Sequence, residues 1–400
     1  MARSSESYSN RIKENLAGLK AAGTLKTLKH INTDVKSTAN VEEFGETTIM
    51  CSNNYIGMAA RPELVEAGVK ALQKYGAGAS SVRFICGTFD IHRDLEERTA
   101  KFLGFEASLS YSSCFAANTG AIPALLQDGD AVISDELNHA SIIDGCRLVG
   151  KGVTKKVYKH ANMDSLRERL EETKDCGAVL VITDGVFSME GDIAPLPEII
   201  KICKEYGALV MVDDSHATGV IGKTGRGTME YHGVTEGVDI VSGTYGKALG
   251  GAGGGFIAAS RDICDFLIQK SRPHIFSNSM PPVLCAIAIA AIDYLDNHPE
   301  LVKSLMEKVA HARAGIIAAG LKPLDGDSAI IPIIVGETAT AISASDACLK
   351  RGLYAIGFGF PVVPEGEARI RLQISDSLTM EEIDKAVSIV SECVKEVLKK

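Results

Sequence analysis

The residue with the clearest chemical potential is a single lysine, Lys247, set among small residues and glycines. It follows the mostly apolar run Val238–Val241 and precedes the glycine-rich stretch Gly250–Gly255. A solvated lysine has a pKa of about 10.4 and is a poor nucleophile at neutral pH. Burial or a nearby cation lowers that pKa, and the free amine can then form a Schiff base with an aldehyde cofactor. The alternative is a solvated lysine in a glycine-rich loop.

Two upstream runs also end in polar residues. Residues 208–212 are apolar and rich in Val, which predicts a buried parallel strand, and Asp213 and His216 follow it. An Asp at such a strand end can pair with a protonated pyridine nitrogen, which keeps a pyridoxal phosphate ring working as an electron sink. Residues 178–183 predict another strand, and Ser188 lies beyond its end.

These strand ends are expected to meet at one edge of the sheet, because open parallel sheets bind ligands outside the carboxyl ends of their strands. The side chains expected to converge are Ser188, Asp213, His216, Thr244 and Lys247. A lone Asp after a strand is usually a turn residue or a helix cap. Three polar strand ends in succession, closing on a glycine-flanked lysine, favour a cofactor site.

The chain resembles the α-oxoamine synthases, pyridoxal-phosphate enzymes that condense an amino acid with an acyl-CoA. The resemblance covers nearly the whole chain and includes the Lys247 segment and the pair Asp213 and His216. The other matching segments are Asn53–Gly57, Ser81–Thr88, Tyr111–Phe115, Ser134–Gly145, Asp184–Gly191, Ser271–Ser279 and Phe360–Arg371.

The resemblance implies an α/β fold of the aspartate-aminotransferase-like kind (fold type I). We expect a large domain with a mostly parallel central sheet, a smaller C-terminal α+β domain and an N-terminal arm. The expected limits are residues 1–50 for the arm, 51–295 for the large cofactor-binding domain and 296–400 for the small domain.

The cofactor that the resemblance implies is pyridoxal 5′-phosphate. Lys247 would hold it and act as acid and base at the substrate Cα, and Asp213 would pair with the ring nitrogen. His139 would stack on the ring, although a loop histidine before a helix is the alternative. The other implied contacts are His216 and Ser188 to the ring oxygen, the backbone of Cys114 and Phe115 to the phosphate, Thr244 to the phosphate, and Ser277 and Asn278 from the other subunit. The implied catalytic set is Lys247, His139, Asp213 and His216.

The amino-acid substrate is expected to bind through its carboxylate. Arg371 would clamp that carboxylate, a task that suits a guanidinium fork, and Asn53 and His139 would lie near it. The alternative is an exposed strand arginine, since Arg369 and Arg371 alternate onto one face. The implied substrates are glycine and acetyl-CoA, giving 2-amino-3-oxobutanoate and CoA in threonine catabolism, and the implied assembly is a homodimer with shared active sites.

Two positions depart from the branch of the family that uses acetyl-CoA. Ala116 stands where that branch usually has an acidic residue, and Tyr245 stands where Leu is more usual. Other activities therefore stay open: 8-amino-7-oxononanoate synthase, serine palmitoyltransferase or 5-aminolevulinate synthase. A pyridoxal-phosphate lyase without CoA and a non-catalytic binding protein are more distant alternatives.

Composition sets further limits. The 400 residues carry a formal net charge of −9, which argues against a general nucleic-acid surface. No apolar run approaches the ~20 residues needed to span a bilayer, and the first residues lack a signal-peptide core. The ten cysteines are scattered without a Cys-x-x-Cys pair. We therefore expect a cytoplasmic enzyme without a metal, membrane or nucleic-acid partner.

Hydrophobic periodicity and helix-capping residues predict several elements directly. Helices are expected at residues 5–22, 90–102, 116–126, 196–206, 283–297, 301–319 and 380–398. Besides the strands above, short strands are expected within 34–50 and at 330–335 and 368–374.

Overall fold

The computed structural model describes residues 5–399. Within that range the helices are α1 (Ser5–Ala21), α2 (Pro62–Tyr75), α3 (Asp90–Leu103), α4 (Cys114–Leu125), α5 (Ala140–Leu148), α6 (Met163–Glu172), α7 (Leu196–Tyr206), α8 (Thr228–His232), α9 (Arg261–Lys270), α10 (Arg272–Phe276), α11 (Pro282–Asn297), α12 (Glu300–Ala318), α13 (Thr338–Lys350) and α14 (Met380–Leu398). The strands are β1 (Thr38–Val41), β2 (Gly45–Ile49), β3 (Ala107–Tyr111), β4 (Ala131–Asp135), β5 (Thr154–Tyr158), β6 (Val179–Asp184), β7 (Leu209–Asp213), β8 (Ile240–Thr244), β9 (Gly255–Ala259), β10 (Ile330–Gly336), β11 (Leu353–Tyr354), β12 (Ile356–Phe358) and β13 (Ala368–Gln373).

The central sheet has seven strands in the order β3-β9-β8-β7-β6-β4-β5. The pairs from β8 through β7, β6 and β4 to β5 are parallel, and β9 runs antiparallel to both of its neighbours. The inner strands β6, β7 and β8 are buried at nearly every position, so neither face of these strands meets water. Their sequences are therefore short runs rich in Val and Ile, without the alternation of polar and apolar residues that a half-exposed strand shows. The expected mostly parallel α/β sheet is confirmed.

The carboxyl ends of three neighbouring strands meet as the sequence predicts. Strands β6, β7 and β8 lie side by side, with Asp184 opposite Asp213 and Asp213 opposite Ser242. The chain leaves these strand ends toward Ser188, His216 and Lys247. One edge of the sheet therefore collects the polar residues of three sequence segments.

The C-terminal part forms an antiparallel sheet in the order β10-β13-β12. Strands β1 and β2 of the N-terminal arm form a second small sheet in which β2 pairs in parallel with β11. The backbone N–H of Gln373 on β13 also donates to the carbonyl of Met50 at 2.8 Å. The arm is thus built into the small domain, while the domain limits at 51 and 295 stay a prediction.

Most predicted helices end within two residues of their expected bounds. Helix α4 begins at Cys114 and not at residue 116, because Ser113 caps it by accepting from the Ala116 N–H at 3.1 Å. None of the helices within residues 5–399 is long and apolar enough to cross a membrane.

Candidate active site

A cavity of about 200 Å³ lies at the carboxyl ends of β6, β7 and β8. Its lining contains most of the predicted site residues. They are Cys114, Phe115, His139, Asp213, His216, Thr244 and Lys247, joined by Ser113, Ser141, Asp184, Val186 and Ser215. The fold therefore brings together residues that lie more than 130 positions apart in the sequence.

Lys247 meets this cavity in a desolvated setting. Burial lowers the pKa of its ammonium, and the Arg371 guanidinium lowers it further, while Asp213 and other neighbours oppose the shift only in part. A lower pKa gives a larger fraction of free amine at neutral pH. The electrostatics thus suit a nucleophilic and proton-accepting amine.

Asp213 is held by three donors. Its Oδ2 accepts from the Asn118 amide at 2.6 Å and from the Cys114 thiol at 3.6 Å, and its Oδ1 accepts from the Ser215 N–H at 2.9 Å. Burial and the nearby Asp213 carboxylate raise the pKa of the Cys114 thiol well above its usual value. Cys114 therefore stays protonated and acts as a donor.

His216 begins a buried chain of hydrogen bonds. Its Nδ1 lies 2.8 Å from the Tyr55 hydroxyl, which is 2.7 Å from the Gln373 Nε2. Gln373 in turn reaches Asn53 Oδ1 at 2.7 Å and Arg371 Nη2 at 2.9 Å. Burial, with the cations of Lys247 and Arg371, lowers the pKa of His216 well below its usual value, so the ring is neutral.

Arg371 is buried and only partly paired. Its Nη1 donates to the Ser188 carbonyl at 2.7 Å, and its guanidinium lies 4.5 Å from the centre of the Phe358 ring. Its buried Nε has no hydrogen-bond partner among residues 5–399. The alternative of an exposed strand arginine is wrong, since Arg369 and Arg371 are 1% and 9% exposed.

His139 lies before a helix and also borders the cavity, as the two interpretations of the sequence require. Its side chain caps α5 by accepting from the Ser141 N–H, and its ring also lines the cavity. Its backbone N–H donates to Asp184 Oδ2 at 3.0 Å, and the Phe115 ring packs edge-on at 6.4 Å. The capped position fixes the ring at the cavity wall, and stacking on a cofactor stays a prediction.

The start of α4 forms one end of the cavity. First-turn amides of a helix lack acceptors within the helix and favour an anion, so Cys114 and Phe115 can offer their N–H groups to a phosphate. A Cβ at Gly255 would lie 2.2 Å from the Cys114 nitrogen, so only glycine lets β9 approach this helix start. Thr244 accepts from the Gly246 N–H at 3.0 Å beside it.

Five predicted site residues lie outside this lining: the cofactor contacts Ser188, Ser277 and Asn278, and the substrate residues Asn53 and Arg371. Ser277 and Asn278 are exposed on this chain, and Ser277 lines a separate cavity of about 610 Å³ with Lys270 and Arg272. Ser188 contributes its carbonyl to Arg371. Contacts of the Ser188 hydroxyl, Ser277 and Asn278 with a cofactor stay predictions.

The residues present fit pyridoxal 5′-phosphate. An amine of lowered pKa, a buried carboxylate and a helix start surround one cavity, and a cavity-lining carboxylate oxygen, Asp184 Oδ1, is buried without a hydrogen-bond partner within the described range. In residues 5–399 no group of three or more His, Cys, Asp or Glu side chains is placed to hold a metal ion.

Comparison with known families settles the class of protein. The model of the family "Aminotransferase class I and II" matches residues 46–390. The chain belongs to this family. A curated relative from Bos taurus, "2-amino-3-ketobutyrate coenzyme A ligase, mitochondrial", is 46% identical and is matched over 94% of this chain and 90% of its own length. A relative from Bacillus velezensis, "8-amino-7-oxononanoate synthase 1", is 44% identical over 96% of this chain and 97% of its own.

A solved structure gives the same answer for the fold of this family member. Serine palmitoyltransferase from S. paucimobilis, with a bound PLP–myriocin aldimine, superposes with a TM-score of 0.92 at 29% identity and covers 99% of both chains. The predicted family and the predicted fold type are therefore confirmed.

The sequence interpretation missed several residues that hold the site. Asn118, Tyr55 and Gln373 were not singled out, although each has a local signal. Asn118 lies four residues after Cys114 and so shares a helix face with it, and Gln373 lies two residues after Arg371 on one strand face. Tyr55 lies inside the segment Asn53–Gly57 that carries the resemblance.

Proposed function

We propose that this protein is a pyridoxal-phosphate-dependent acyltransferase that condenses glycine with acetyl-CoA, reversibly, to 2-amino-3-oxobutanoate and CoA. The choice of substrates rests on one observation, the 46% identity over 94% of this chain to a relative named for 2-amino-3-ketobutyrate. The choice of chemistry rests on the cavity itself, where Lys247, Asp213 and His216 meet. In the cell, the reverse direction would serve threonine breakdown.

Bound pyridoxal phosphate would supply an aldehyde that captures the amino group and a ring that accepts the electron pair of the Cα–H bond. Asp213, with both oxygens already fixed by donors, would hold a positive charge at the ring nitrogen. The α4 start and Thr244 would hold the phosphate. His216 would contact the ring oxygen.

Two groups would act on the amino acid directly. Arg371 would bind the glycine carboxylate through its unpaired Nε, and Asn53, linked to it through Gln373, would border the same region. The Lys247 amine would accept the proton from the glycine Cα, since its lowered pKa leaves it a free base more often. The Cα would then form a bond to the acetyl carbonyl carbon as the carbon–sulfur bond breaks, and CoA would leave as its thiol with the proton that Lys247 had accepted.

A second substrate pair has its own support. The relative from Bacillus velezensis is 44% identical over 96% of this chain, and it is named 8-amino-7-oxononanoate synthase 1. Ala116, next to the helix start at Cys114, also departs from the acetyl-CoA branch. Alanine with a pimeloyl thioester is therefore the competing pair.

Release of CoA separates these candidates. Purified protein should be assayed with glycine, alanine and serine, each against acetyl-, succinyl-, pimeloyl- and palmitoyl-CoA. We expect the highest kcat/KM for glycine with acetyl-CoA. A preference for alanine with pimeloyl-CoA would move the protein to the sister activity and leave the chemistry of Lys247 unchanged.

The lysine itself has a matched control. Lys247→Ala should abolish CoA release, because the variant loses both the cofactor-holding amine and the Cα base. Lys223 is an exposed lysine on the loop before α8, and Lys223→Ala should keep full activity. Full turnover by Lys247→Ala would exclude the scheme.

We also propose a homodimer in which Ser277 and Asn278 serve the partner's site. Large apolar side chains are exposed around these residues on the single chain, including Phe84, Ile85 and Phe276 at 63%, 68% and 68%. Patches of this kind favour burial against another chain.

Subunit exchange tests this directly. Lys247→Ala and Asn278→Asp variants, each with low activity alone, should regain activity when unfolded and refolded together, since a mixed dimer rebuilds one native site. Failure to regain activity, or a fully active monomer in sedimentation, would contradict shared sites.

A cytoplasmic location is proposed as well. All ten cysteines are free thiols, which is typical of a reducing compartment. Cell fractionation is the measurement.

A further inference from the structure

The hydrogen bonds behind His216 have a direction that can be worked out from donors and acceptors. We propose that Gln373 and Tyr55 are positioning residues: a one-way chain of hydrogen bonds that starts at Arg371 fixes His216 as its Nε2–H tautomer. These hydrogen bonds link Arg371, proposed to bind the substrate carboxylate, to His216, proposed to contact the cofactor ring. The tautomer of His216 does not depend on which amino acid or acyl-CoA the enzyme uses.

Arg371 sets the direction, because a guanidinium can only donate. Its Nη2 lies 2.9 Å from Gln373 Oε1, so that oxygen must be the acceptor. The Gln373 amide is thereby oriented, and its Nε2 presents two hydrogens. Asn53 Oδ1 and the Tyr55 oxygen, both at 2.7 Å, accept them.

Tyr55 passes the direction on. Its oxygen already accepts from Gln373, and its single proton can then be given only to His216 Nδ1, at 2.8 Å. Burial raises the pKa of Tyr55 to about 12, so the phenol keeps that proton at neutral pH. His216 Nδ1 is consequently an acceptor.

The remaining nitrogen of His216 follows from this assignment. The ring is neutral because burial and the cations of Lys247 and Arg371 lower its pKa well below the usual value. A neutral imidazole with an accepting Nδ1 must carry its proton on Nε2. Since His216 lines the cavity, the ring offers a donor, not an acceptor, to an oxygen of a bound cofactor.

One substitution should reverse the direction of the hydrogen bond between Tyr55 and His216. Gln373→Glu keeps the size of the side chain and keeps an acceptor for Arg371, but it has no N–H for Tyr55. The Tyr55 proton should then go to the new carboxylate, and the Tyr55 oxygen should accept from His216 Nδ1–H. The tautomer of His216 would invert, which a merely structural side chain has no means of causing.

The test is nitrogen NMR on protein labelled with ¹⁵N-histidine, with His216→Asn used to assign the signals. The cofactor-free wild type should show His216 with an unprotonated Nδ1 and a protonated Nε2. Gln373→Glu should show the opposite tautomer, and Tyr55→Phe a mixture of the two. A mixed or Nδ1–H wild type, or an unchanged tautomer in Gln373→Glu, would overturn the proposal.

The loaded enzyme gives a second readout. Tyr55→Phe should lower kcat by about tenfold, the effect of losing one hydrogen bond of about 1.4 kcal/mol, while KM for the amino acid stays within about twofold because Arg371 and Gln373 are intact. The matched control is Tyr245→Phe. It removes another buried hydroxyl, which lies 2.7 Å from Thr99 Oγ1 and takes no part in the hydrogen bonds between Arg371 and His216. Equal kcat losses in the two variants would indicate a general packing effect and would overturn the proposal.

These readouts also separate this inference from the proposed function. The tautomers are measured without cofactor or substrate, so they stand even if the substrates prove to be others. A correct tautomer pattern with no CoA release would exclude the proposed function alone. CoA release with the wrong tautomer pattern would exclude the hydrogen-bond chain alone.

Discussion

The side-chain amide of Asn118 donates to Oδ2 of Asp213 at 2.6 Å, inside the protein core. Asn118 lies one turn into α4, whose first residue, Cys114, borders the proposed phosphate site. A single helix therefore serves both ends of the cofactor cavity: its start can hold an anion, and its second turn fixes the carboxylate.

Asn118→Asp should weaken this arrangement. Two carboxylates at hydrogen-bond distance cannot both stay ionised, so they would share a proton and Asp213 would lose part of its charge. We expect kcat to fall by about 10- to 100-fold, which corresponds to a rise of about 1.4–2.7 kcal/mol in the activation free energy. Steady-state CoA release measures kcat, and a cofactor titration followed by absorbance measures the affinity for the cofactor.

The neighbouring Thr119 supplies the control for this variant. Its hydroxyl donates to the Phe115 carbonyl, outside the carboxylate cluster, and Thr119→Ala should keep kcat. An Asn118→Asp enzyme with unchanged kcat and cofactor affinity would show that the charge of Asp213 does not depend on this amide.

Asp184 and Asp213 lie on adjacent strands, and replacing each of them by Asn should change kcat to a different extent. Burial and the nearby Asp213 raise the pKa of Asp184 well above its usual value, so its carboxyl group holds a proton more readily than an exposed carboxyl does. Asp184→Asn keeps an acceptor for the His139 N–H and should change kcat by less than about threefold. Asp213→Asn should lower kcat by about 100-fold or more, since it removes the negative charge that we propose pairs with the ring nitrogen.

The comparison is internal, because the two residues face each other in the register of β6 and β7. Both variants should be assayed at pH 7 with matched cofactor saturation. A loss in Asp184→Asn as large as that in Asp213→Asn would mean that Asp184 is ionised and takes part in the chemistry.

Much of the cofactor end of the site is predictable from local sequence signals. Asp213 and Lys247 each follow a short apolar run, and such runs fold as neighbouring parallel strands whose ends must meet. The glycines around Lys247 indicate that backbone segments pack closely there. At Gly255, for example, an added Cβ would clash with the backbone nitrogen of Cys114. These signals need only the chain segment in which they occur.

The supporting contacts are less predictable because each joins distant parts of the chain. Asn118 meets Asp213 across 95 positions, Tyr55 meets His216 across 161, and Gln373 meets Tyr55 across 318. Periodicity places each residue on a face of its own element, but which elements pack together follows from the tertiary fold. Helix capping by Ser113 is likewise clear only once the helix start is seen.

Arg369 and Arg371 offer a matched pair on one strand. Arg369 is paired within the chain, to Met189 and Glu190 through one nitrogen and to Glu367 through the others. Arg371→Met should raise KM for the amino acid by about 10- to 100-fold, since a charge-assisted hydrogen bond contributes about 1.5–3 kcal/mol. Arg369→Met should lower Tm and leave KM nearly unchanged.

Steady-state kinetics and thermal melts on both variants check this assignment. A comparable rise of KM in Arg369→Met would show that both guanidinium groups reach the substrate. An unchanged KM in Arg371→Met would remove Arg371 from substrate binding and leave it a structural residue between Ser188 and Gln373.

His160 should make the stability of the fold depend on pH in the alkaline range. Its ring lies between two carboxylates, with Nδ1 3.0 Å from Asp135 and Nε2 2.9 Å from Asp192. Burial opposes its charge, but the two carboxylates outweigh burial and raise the pKa of His160 to about 10. The folded pKa therefore lies above the unfolded value of about 6.5.

The sign of the effect follows from this difference. The folded state binds the proton more tightly, so the stabilisation is fully present below about pH 6.5 and is lost as the pH rises toward about 10. Tm should be measured for wild type and His160→Gln from pH 6 to pH 10, with His298→Gln, at a half-buried histidine that faces a single carboxylate, as control. The Tm difference for His160→Gln should be largest near pH 6 and shrink toward pH 10. A difference that stays constant over this range would mean that His160 contributes through its shape against Phe187 and not through its charge.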